Sequence, residues 1–281
     1  MRIFAALNRQ RIMATTRILL IGTGRMAYHL GHAIHKSGHS IVGITGRDPQ
    51  KLADMARFLE CPAFRWNQAL PAADIVVIAT SDDAIGEVST MLKPSGSVVV
   101  HTAGAVDLDV LAPHEHRAVL WPVQTLSHGA PTDLSDIPLM VDGNTTQARE
   151  TVLKLARSIS ESVLQLTHAQ RQRMHLAAAI TSNLPVFLVR EAQRLLRQEN
   201  LPPDLLMPLW RTTATNVSTI GPEHALTGPA RRGDTRSIRK HLDQLTSDND
   251  LRRAYAQLSV MILKAYGHPT DGIEDVQGDP R

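Results

Sequence analysis

The chain has 281 residues, 43% of them hydrophobic and 20% charged, a composition typical of a globular protein of two domains. No uncharged apolar run approaches the roughly 18 residues that a membrane span needs, so we expect no membrane partner. The single cysteine, Cys61, excludes an intrachain disulfide and indicates a reducing compartment such as the cytoplasm. Thirty Lys and Arg against 27 Asp and Glu give a net charge of +3, too small an excess to indicate nucleic acid binding.

The first residues of the chain are unusually basic. Residues 1–16 contain no acid, and this composition is compatible with an organellar transit segment or with an ordinary flexible leader. We expect a leader, and Met13 is a second candidate start just before the first predicted strand. No acidic residue precedes Asp48, so this end of the chain is locally cationic and suited to an anion.

From Arg17 to residue 167, short apolar runs alternate with helical stretches. The runs are RILLI, HSIVGIT, DIVVIAT, SVVVHT, AVLWPV, PLMVD and SVLQL. Continuous runs of Val, Ile and Leu are typical of buried parallel strands that helices cover on both faces. The pattern therefore predicts a doubly wound α/β sheet of the Rossmann type over residues 17–167.

After residue 167 only helical periodicity remains. This predicts an all-α C-terminal domain over residues 168–267. Residues 268–281 are polar and rich in Gly and Pro, so we expect a tail without a core of its own.

The turn between the first strand and the first helix has the pattern G-x-G-x-x-A, and its residues are Gly22, Thr23, Gly24, Arg25, Met26 and Ala27. Gly22 permits a tight turn, Gly24 lets the backbone approach a pyrophosphate, and Ala27 is small enough for the helix to pack on the strand. The helix N-terminus then faces the anion. The turn is predicted to bind a dinucleotide, and a tight turn without a ligand is the alternative.

The end of the second strand indicates which dinucleotide binds. An acid about 20 residues beyond the glycines would accept the ribose hydroxyls of NAD. Here Asp48 precedes Pro49 in the pattern of a helix N-cap, so its carboxylate has a structural task. Arg47 is then available for a 2′-phosphate, with Thr45 as a hydroxyl contact, which favours NADP(H). The alternative is a solvated Arg47.

Polar residues also follow later strands, at the edge of the sheet where ligands of open α/β sheets bind. We predict cofactor contacts from Thr80 and Ser81, at the end of the run DIVVIAT, and from His101 and Thr102, at the end of SVVVHT. The second pair is expected on the nicotinamide side.

The histidines do not suggest a metal site. The His114–His116 pair lacks further ligands nearby. His29 and His32 lie away from the apolar stripe of the first helix, so we expect them on a solvated or interface face. We therefore predict that the protein binds no metal ion.

Together, the motifs GTGRMA with TGRD, SDDAI, HTAGA, PVQT, HLAAAITSN and LTGPARRGD resemble Rossmann-type NADP oxidoreductases with a helical second domain. This group is related to pyrroline-5-carboxylate reductase, deazaflavin-dependent NADP reductase and the 6-phosphogluconate dehydrogenase superfamily. The chain is most similar to a subgroup whose C-terminal domain has no known function. The resemblance spans most of residues 17–245 and implies NADPH binding and a homodimer built through the helical domains. The subgroup usually has His-Pro where this chain has Trp121-Pro122, so no role of that histidine is carried over.

One predicted helix carries a polar stripe. His175, Ala179 and Asn183 share a face at positions i, i+4 and i+8, with Ser182 beside them. In related enzymes the corresponding helix faces the nicotinamide, so the resemblance implies a proton donor at His175 and a substrate carbonyl or imine hydrogen bond at Asn183. Ser182 would contact the substrate. The alternative is a set of polar groups that only satisfy a buried helix, and the family's more familiar catalytic lysine is absent here.

Residues 227–235 resemble the loop by which pyrroline-5-carboxylate reductase captures a substrate carboxylate at a helix N-terminus. Backbone N–H groups near Gly228, the helix dipole and Arg232 would hold an anion, and Asp234 is expected to be the N-cap. A charged surface loop is the alternative.

These features predict an NADPH-dependent oxidoreductase that reduces a small anionic carbonyl or imine compound, as a cytoplasmic homodimer. The alternative is a non-catalytic NADP-binding sensor or regulatory dimer, favoured by the missing lysine and by Trp121.

Overall fold

A computed structural model describes residues 15–273 of the chain. Residues 1–14 of the expected leader, Met13 among them, and residues 274–281 of the expected tail lie outside the described residues. The chain forms two compact units, Met1–Asn183 and Leu184–Arg281.

The first unit is built on an eight-stranded sheet in the described part of the chain, with the order β3-β2-β1-β4-β5-β6-β7-β8. The strands are β1 (Arg17–Ile21), β2 (Ser40–Thr45), β3 (Ala63–Phe64), β4 (Ile75–Ile78), β5 (Val98–His101), β6 (Arg117–Pro122), β7 (Leu139–Gly143) and β8 (Val163–Gln165). All neighbours are parallel except β6 and β7. All seven predicted strands are present, and only the two-residue β3 is too short to have left a pattern in the sequence.

Helices cover both faces of this sheet, which confirms the doubly wound α/β prediction. They are α1 (Arg25–Lys36), α2 (Pro49–Phe58), α3 (Ile85–Met91), α4 (Thr146–Ile159) and α5 (His168–Ala178). Alternate residues of β1 enter opposite apolar layers: Ile18 and Leu20 pack in the layer of α1, α2 and α4, while Leu19 and Ile21 pack in the layer of α3. Each fully buried Leu or Ile stabilises the fold by about 1.5–3 kcal/mol relative to an exposed one.

The structure corrects the placement of His29. Its Nε2 lies 2.9 Å from the Ser127 carbonyl oxygen, and its Nδ1 accepts a hydrogen bond of 2.9 Å from the Thr132 N–H. The ring is buried between α1 and this segment, not on a solvated or interface face. The prediction was wrong because the helical wheel identifies the side that packs on the sheet and gives no sign that a loop covers another side.

A π-helical turn over Ala179–Asn183 follows α5, where the sequence predicts a continuous α-helix. Pro185, just beyond the turn, has no N–H with which to continue the α-helical ladder. The Thr181 hydroxyl donates to the Ala177 carbonyl, at 2.9 Å. A π turn holds more residues than an α turn, so the regular α-helical ladder of α5 is interrupted here.

The second unit is helical, as predicted. Its helices are α6 (Leu184–Gln198), α7 (Met207–Ile220), α8 (Pro222–Ala225), α9 (Thr235–Gln244) and α10 (Asn249–Ala265). A small core contains Ile238, Leu242, Val260, Leu263 and Ile273. Ile273, in the expected tail, is fully buried in this core. The change from strands to helices falls where predicted, although α5 and the π turn belong to the first compact unit.

Within residues 15–273, no helix is both long enough and apolar enough to cross a membrane.

Candidate functional site

A cleft of about 710 Å³ opens beside the carboxyl ends of β1, β2 and β4. Because β2 and β4 flank β1 on opposite sides, the cleft lies at the point where the strand order reverses. Most of the predicted cofactor contacts line it: Gly22, Thr23, Gly24, Arg25, Met26, Arg47, Thr80 and Ser81. Its volume is in the range of small-molecule sites.

The two glycines of the first turn have different tasks. Gly22 has a φ of +123°, and a Cβ built there would lie 2.4 Å from the Ala79 carbonyl oxygen, so the turn tolerates only glycine. A Cβ on Gly24 would meet nothing within 4 Å, which leaves space in front of the α1 N-terminus. No side chain caps that terminus and its first turn has no acid. A pyrophosphate fits this arrangement of free N–H groups and positive helix dipole.

At the end of β2, Asp48 caps α2 as predicted. Its Oδ1 accepts hydrogen bonds from the N–H groups of Gln50, at 3.0 Å, and Lys51, at 3.1 Å. The neighbouring Arg47 lines the cleft, is exposed, and makes no ion pair with any residue from 15 to 273. The 2′-phosphate of NADP would supply the partner that this guanidinium lacks.

Three predicted cofactor contacts, Thr45, His101 and Thr102, are not among the residues that line the cleft. Thr45 and His101 are both 0% exposed, and Thr102 is 5% exposed. The Thr45 hydroxyl and the His101 Nε2 have no hydrogen-bond partner in the described structure. Their part in cofactor binding stays a prediction.

The His101 imidazole is held neutral. Burial, and after it the charge of Arg171, lower its pKa to about 3. Its Nδ1 accepts the Ala103 N–H at 3.2 Å, so the remaining proton lies on Nε2.

The α5 residues lie along the carboxyl end of β6. The His175 ring centroid is 5.7 Å from that of Trp121, with the planes tilted by 51°. The Ser182 hydroxyl lies 3.0 Å from that of Thr125, just after β6. Asn183 is exposed and is the last residue of the π turn.

In the second unit, the loop over residues 227–234 is held at several points. The Arg231 guanidinium lies 3.8 Å from the centre of the Tyr266 ring. Asp234 caps α9 as predicted, since its Oδ1 accepts the Ser237 N–H at 3.0 Å, and hydrogen bonds from Ser237 hold the pKa of Asp234 below its usual range. Arg232 is exposed and pairs with no acid among the described residues. The Asp234 carboxylate thus occupies the α9 N-terminus, whereas the Arg232 guanidinium remains exposed.

Gly228 supplies the bend of the same loop. Its φ is +97°, and a Cβ there would meet nothing within 4 Å.

Several residues that line the cleft were missed in the sequence, namely Lys51, Trp66, Glu87, Met91 and Leu126. Trp66 follows the short β3, which carries no sequence signal, and Met91 ends α3. Both bring apolar surface to the cleft, and only the fold places them there.

Metal-ligating side chains do not converge within residues 15–273: no group of three or more occurs there. His114 bonds to the Ser89 carbonyl at 3.0 Å and His116 to the Thr145 hydroxyl at 3.1 Å.

Comparisons with known proteins agree with this architecture. Residues 17–104 match the family described as NADP oxidoreductase, coenzyme F420-dependent, and residues 137–262 match a domain of unknown function, DUF2520. The crystal structure of a candidate NADP oxidoreductase from Bacteroides fragilis is 30% identical, with a TM-score of 0.81, over 89% of this chain and 98% of that one. No curated protein matches.

More distant solved structures share the fold. A protein from Thermotoga maritima is 22% identical, with a TM-score of 0.71, over 89% of this chain and 98% of its own. An imine reductase from Myxococcus stipitatus, in complex with NADP⁺, is 15% identical, with a TM-score of 0.60, over 89% and 94%.

The two glycines should respond differently to the same substitution. Gly22→Ala should destabilise the first unit by about 1–3 kcal/mol, because of its positive φ and the clash with Ala79. Gly24→Ala should leave the melting temperature close to wild type but raise the Kd for NADPH roughly tenfold or more, because the methyl group occupies the space of the pyrophosphate. Thermal unfolding and calorimetric titration measure the two effects.

Gly96→Ala is the matched control, since its Cβ also meets nothing within 4 Å and Gly96 is not among the residues that line the cleft. Wild-type NADPH affinity in Gly24→Ala would contradict the assignment.

Proposed function

The chain belongs to the NADP oxidoreductase family represented by the Bacteroides fragilis protein, and on that premise we propose that it reduces a small anionic carbonyl or imine compound with NADPH. The proposal rests on the cleft, which both Gly24 and Arg47 line. Gly24 has open space above it, and Arg47 makes no ion pair with any described residue.

NADP(H) is the cofactor of this family, and when bound it supplies a hydride from its nicotinamide ring. We assign its pyrophosphate to the N-terminus of α1 at Gly24 and its 2′-phosphate to Arg47. The apolar surface of Trp66 and Met91 suits the adenine base. The nicotinamide then lies toward the loops that follow β4, β5 and β6, where Gln124 lines the cleft.

Reduction of a C=O or C=N bond requires a proton on the heteroatom as well as a hydride on carbon. We assign that proton to His175, since its imidazole is exposed beside Trp121 and histidine donates protons readily near neutral pH. Ser182, aligned with Thr125 at the end of β6, is our candidate for orienting the substrate heteroatom. Asn183, exposed at the end of the π turn, is the second candidate for a hydrogen bond to the substrate carbonyl or imine.

The substrate anion is assigned to Arg232. Its guanidinium has no acidic partner among the described residues, whereas the adjacent Arg231 is stacked on Tyr266. Gly228 lies at the open bend of the same loop.

A second copy of the chain is proposed to pack on the helical unit. Residues 211–220 of α7 are all exposed in the single chain, and Leu209 and Val217 expose 63% and 44% of their surface. On α6, Val186 and Phe187 are exposed by 63% and 52%. Adjacent apolar side chains of this kind are typical of a protein interface.

We propose a cytoplasmic location, because the single cysteine, Cys61, cannot form an intrachain disulfide. Burial raises the pKa of its thiol to about 11, so the reactive thiolate form is disfavoured.

An NADP-binding sensor is the second candidate function. It is favoured by the Trp121 indole, which packs against both Gly104 and His175, and by the lack of lysine in residues 168–198.

Replacing Arg47 tests the choice of cofactor. Arg47→Ala should raise the Kd for NADPH roughly 10- to 100-fold, because charge-assisted hydrogen bonds contribute about 1.5–3 kcal/mol, and should leave the Kd for NADH unchanged. Arg57→Ala is the control, because Arg57 lies on α2, the helix that follows Arg47, but is not among the residues that line the cleft. Equal affinity of the wild type for NADPH and NADH would refute a 2′-phosphate site.

Turnover separates the reductase from the sensor. With a panel of imino and keto acids, wild-type protein should oxidise NADPH, and His175→Gln should lower kcat about 100-fold or more with no change in NADPH affinity. Arg232→Ala should raise KM for the acid about tenfold, and Lys240→Ala, an exposed cation on α9, should not. Tight NADPH binding without turnover of any panel member would favour the sensor.

The oligomeric state tests the apolar face. Light scattering should give the wild type twice the mass of one chain, and Val217→Glu should give a folded monomer because the buried carboxylate would lack a partner. Leu164→Glu, on the exposed β8, should remain dimeric. A monomeric wild type would reject the proposal.

A further inference from the structure

A buried arginine on α5 holds the loop that follows β5, residues 102–107, which we call the β5 loop. The Arg171 side chain is 0% exposed. Its Nη1 donates to the carbonyl oxygens of Gly104, at 3.1 Å, and Val106, at 2.9 Å. Its Nη2 lies 3.5 Å from Oδ2 of Asp142 and 3.4 Å from Nδ1 of His168. One guanidinium thus joins two loop carbonyls to β7.

Other contacts fix the rest of the β5 loop. The Ala103 N–H bonds to His101 beneath it. A Cβ on Gly104 would lie 2.5 Å from the Trp121 indole, so the loop backbone rests directly on that ring. Asp107 lies 3.4 Å from His168 of α5. The loop is therefore held between β6 on one side and α5 on the other.

The energetics argue that this arrangement does more than stabilise the fold. Burial lowers the pKa of Arg171, because removing a guanidinium from water is costly. Well-packed apolar residues in place of a buried ion pair are often equally or more stabilising. Apolar residues, however, cannot bind two carbonyl groups and a carboxylate at once, whereas the planar guanidinium of Arg171 contacts all three.

The position of the loop connects this geometry to the cleft. In the sheet, β5 lies between β4 and β6, and all three run parallel, so their following loops emerge at one edge. The flanking loops contribute Thr80, Ser81 and Gln124 to the cleft. Trp121 contacts both Gly104 of the β5 loop and His175, which lies one helical turn after Arg171.

We propose that Arg171 is a positioning residue, which fixes the β5 loop and, through Trp121, the His175 ring at the nicotinamide end of the cleft. Arg171 has no exposed surface and touches neither cofactor nor substrate. The inference rests on the proposed function, since it concerns the same site. A displacement of about 1 Å at such a site is enough to lower the rate on the order of 100-fold.

Three variants test this role. Arg171→Met removes the fork, and the double variant Arg171→Met/Asp142→Asn also removes the carboxylate charge that the single change leaves buried. Arg149→Met is the matched control, because Arg149 Nη1 donates to the Gly143 carbonyl at 2.6 Å, away from the cleft. For each protein we would measure the melting temperature, the Kd for 2′,5′-ADP, the emission spectrum of bound NADPH, and kcat and KM on the panel.

The double variant should regain most of the melting temperature lost in Arg171→Met, because no unpaired charge stays buried. Its Kd for 2′,5′-ADP should match wild type, since the adenosine side of the cleft is intact. Its bound NADPH should emit differently from wild type, and kcat should fall on the order of 100-fold with little change in KM. Arg149→Met should match wild type in emission and kcat.

Recovery of wild-type emission and kcat together with the melting temperature would assign Arg171 a purely structural role and overturn the proposal. Loss of 2′,5′-ADP binding in the double variant would also overturn it. If the wild type binds NADPH without turnover, the proposed reduction fails, and the emission spectra alone decide the role of Arg171.

Discussion

The close approach of Gly22 to the Ala79 carbonyl is the constraint on which the site depends. Because glycine has no Cβ to clash with this carbonyl, the chain can turn sharply out of β1. The helix α1 then begins with its free N–H groups at the edge of the sheet. The same contact brings the end of β4 against the turn, so that Thr80 and Ser81 reach the cleft. A larger residue at Gly22 would separate the two strand ends and remove the anion site.

The sequence predicts those parts of the fold that local chemistry determines. Buried β-branched runs mark the strands, and Asp48 before Pro49 marks a helix start whose cap uses up the carboxylate. Because that local cap occupies Asp48, the sequence itself points to Arg47 as the group for the phosphate. The change from strands to helices near residue 167 is equally local, since it depends only on the period of the apolar pattern.

The rest depends on tertiary packing, which periodicity does not report. His29 is buried by a loop more than 90 residues away in sequence, and His101 is fully buried although it ends a predicted strand at the ligand-binding edge of the sheet. Trp66 reaches the cleft from just beyond a two-residue strand, and a π turn interrupts the helix that periodicity predicts as continuous. Arg171 looks in the sequence like any cation on a polar helix; its two carbonyl partners lie 65 and 67 residues earlier.

We propose that Arg47 binds the 2′-phosphate of NADP at the end of β2. The most direct test is a pH titration of the ³¹P resonance of that phosphate in NADP⁺ bound to the protein. Since a guanidinium favours the more highly charged form, the phosphate pKa, about 6 in ordinary phosphomonoesters, should fall in the wild-type complex and return to the free value in Arg47→Ala. An unchanged phosphate pKa in the wild-type complex would contradict the claim.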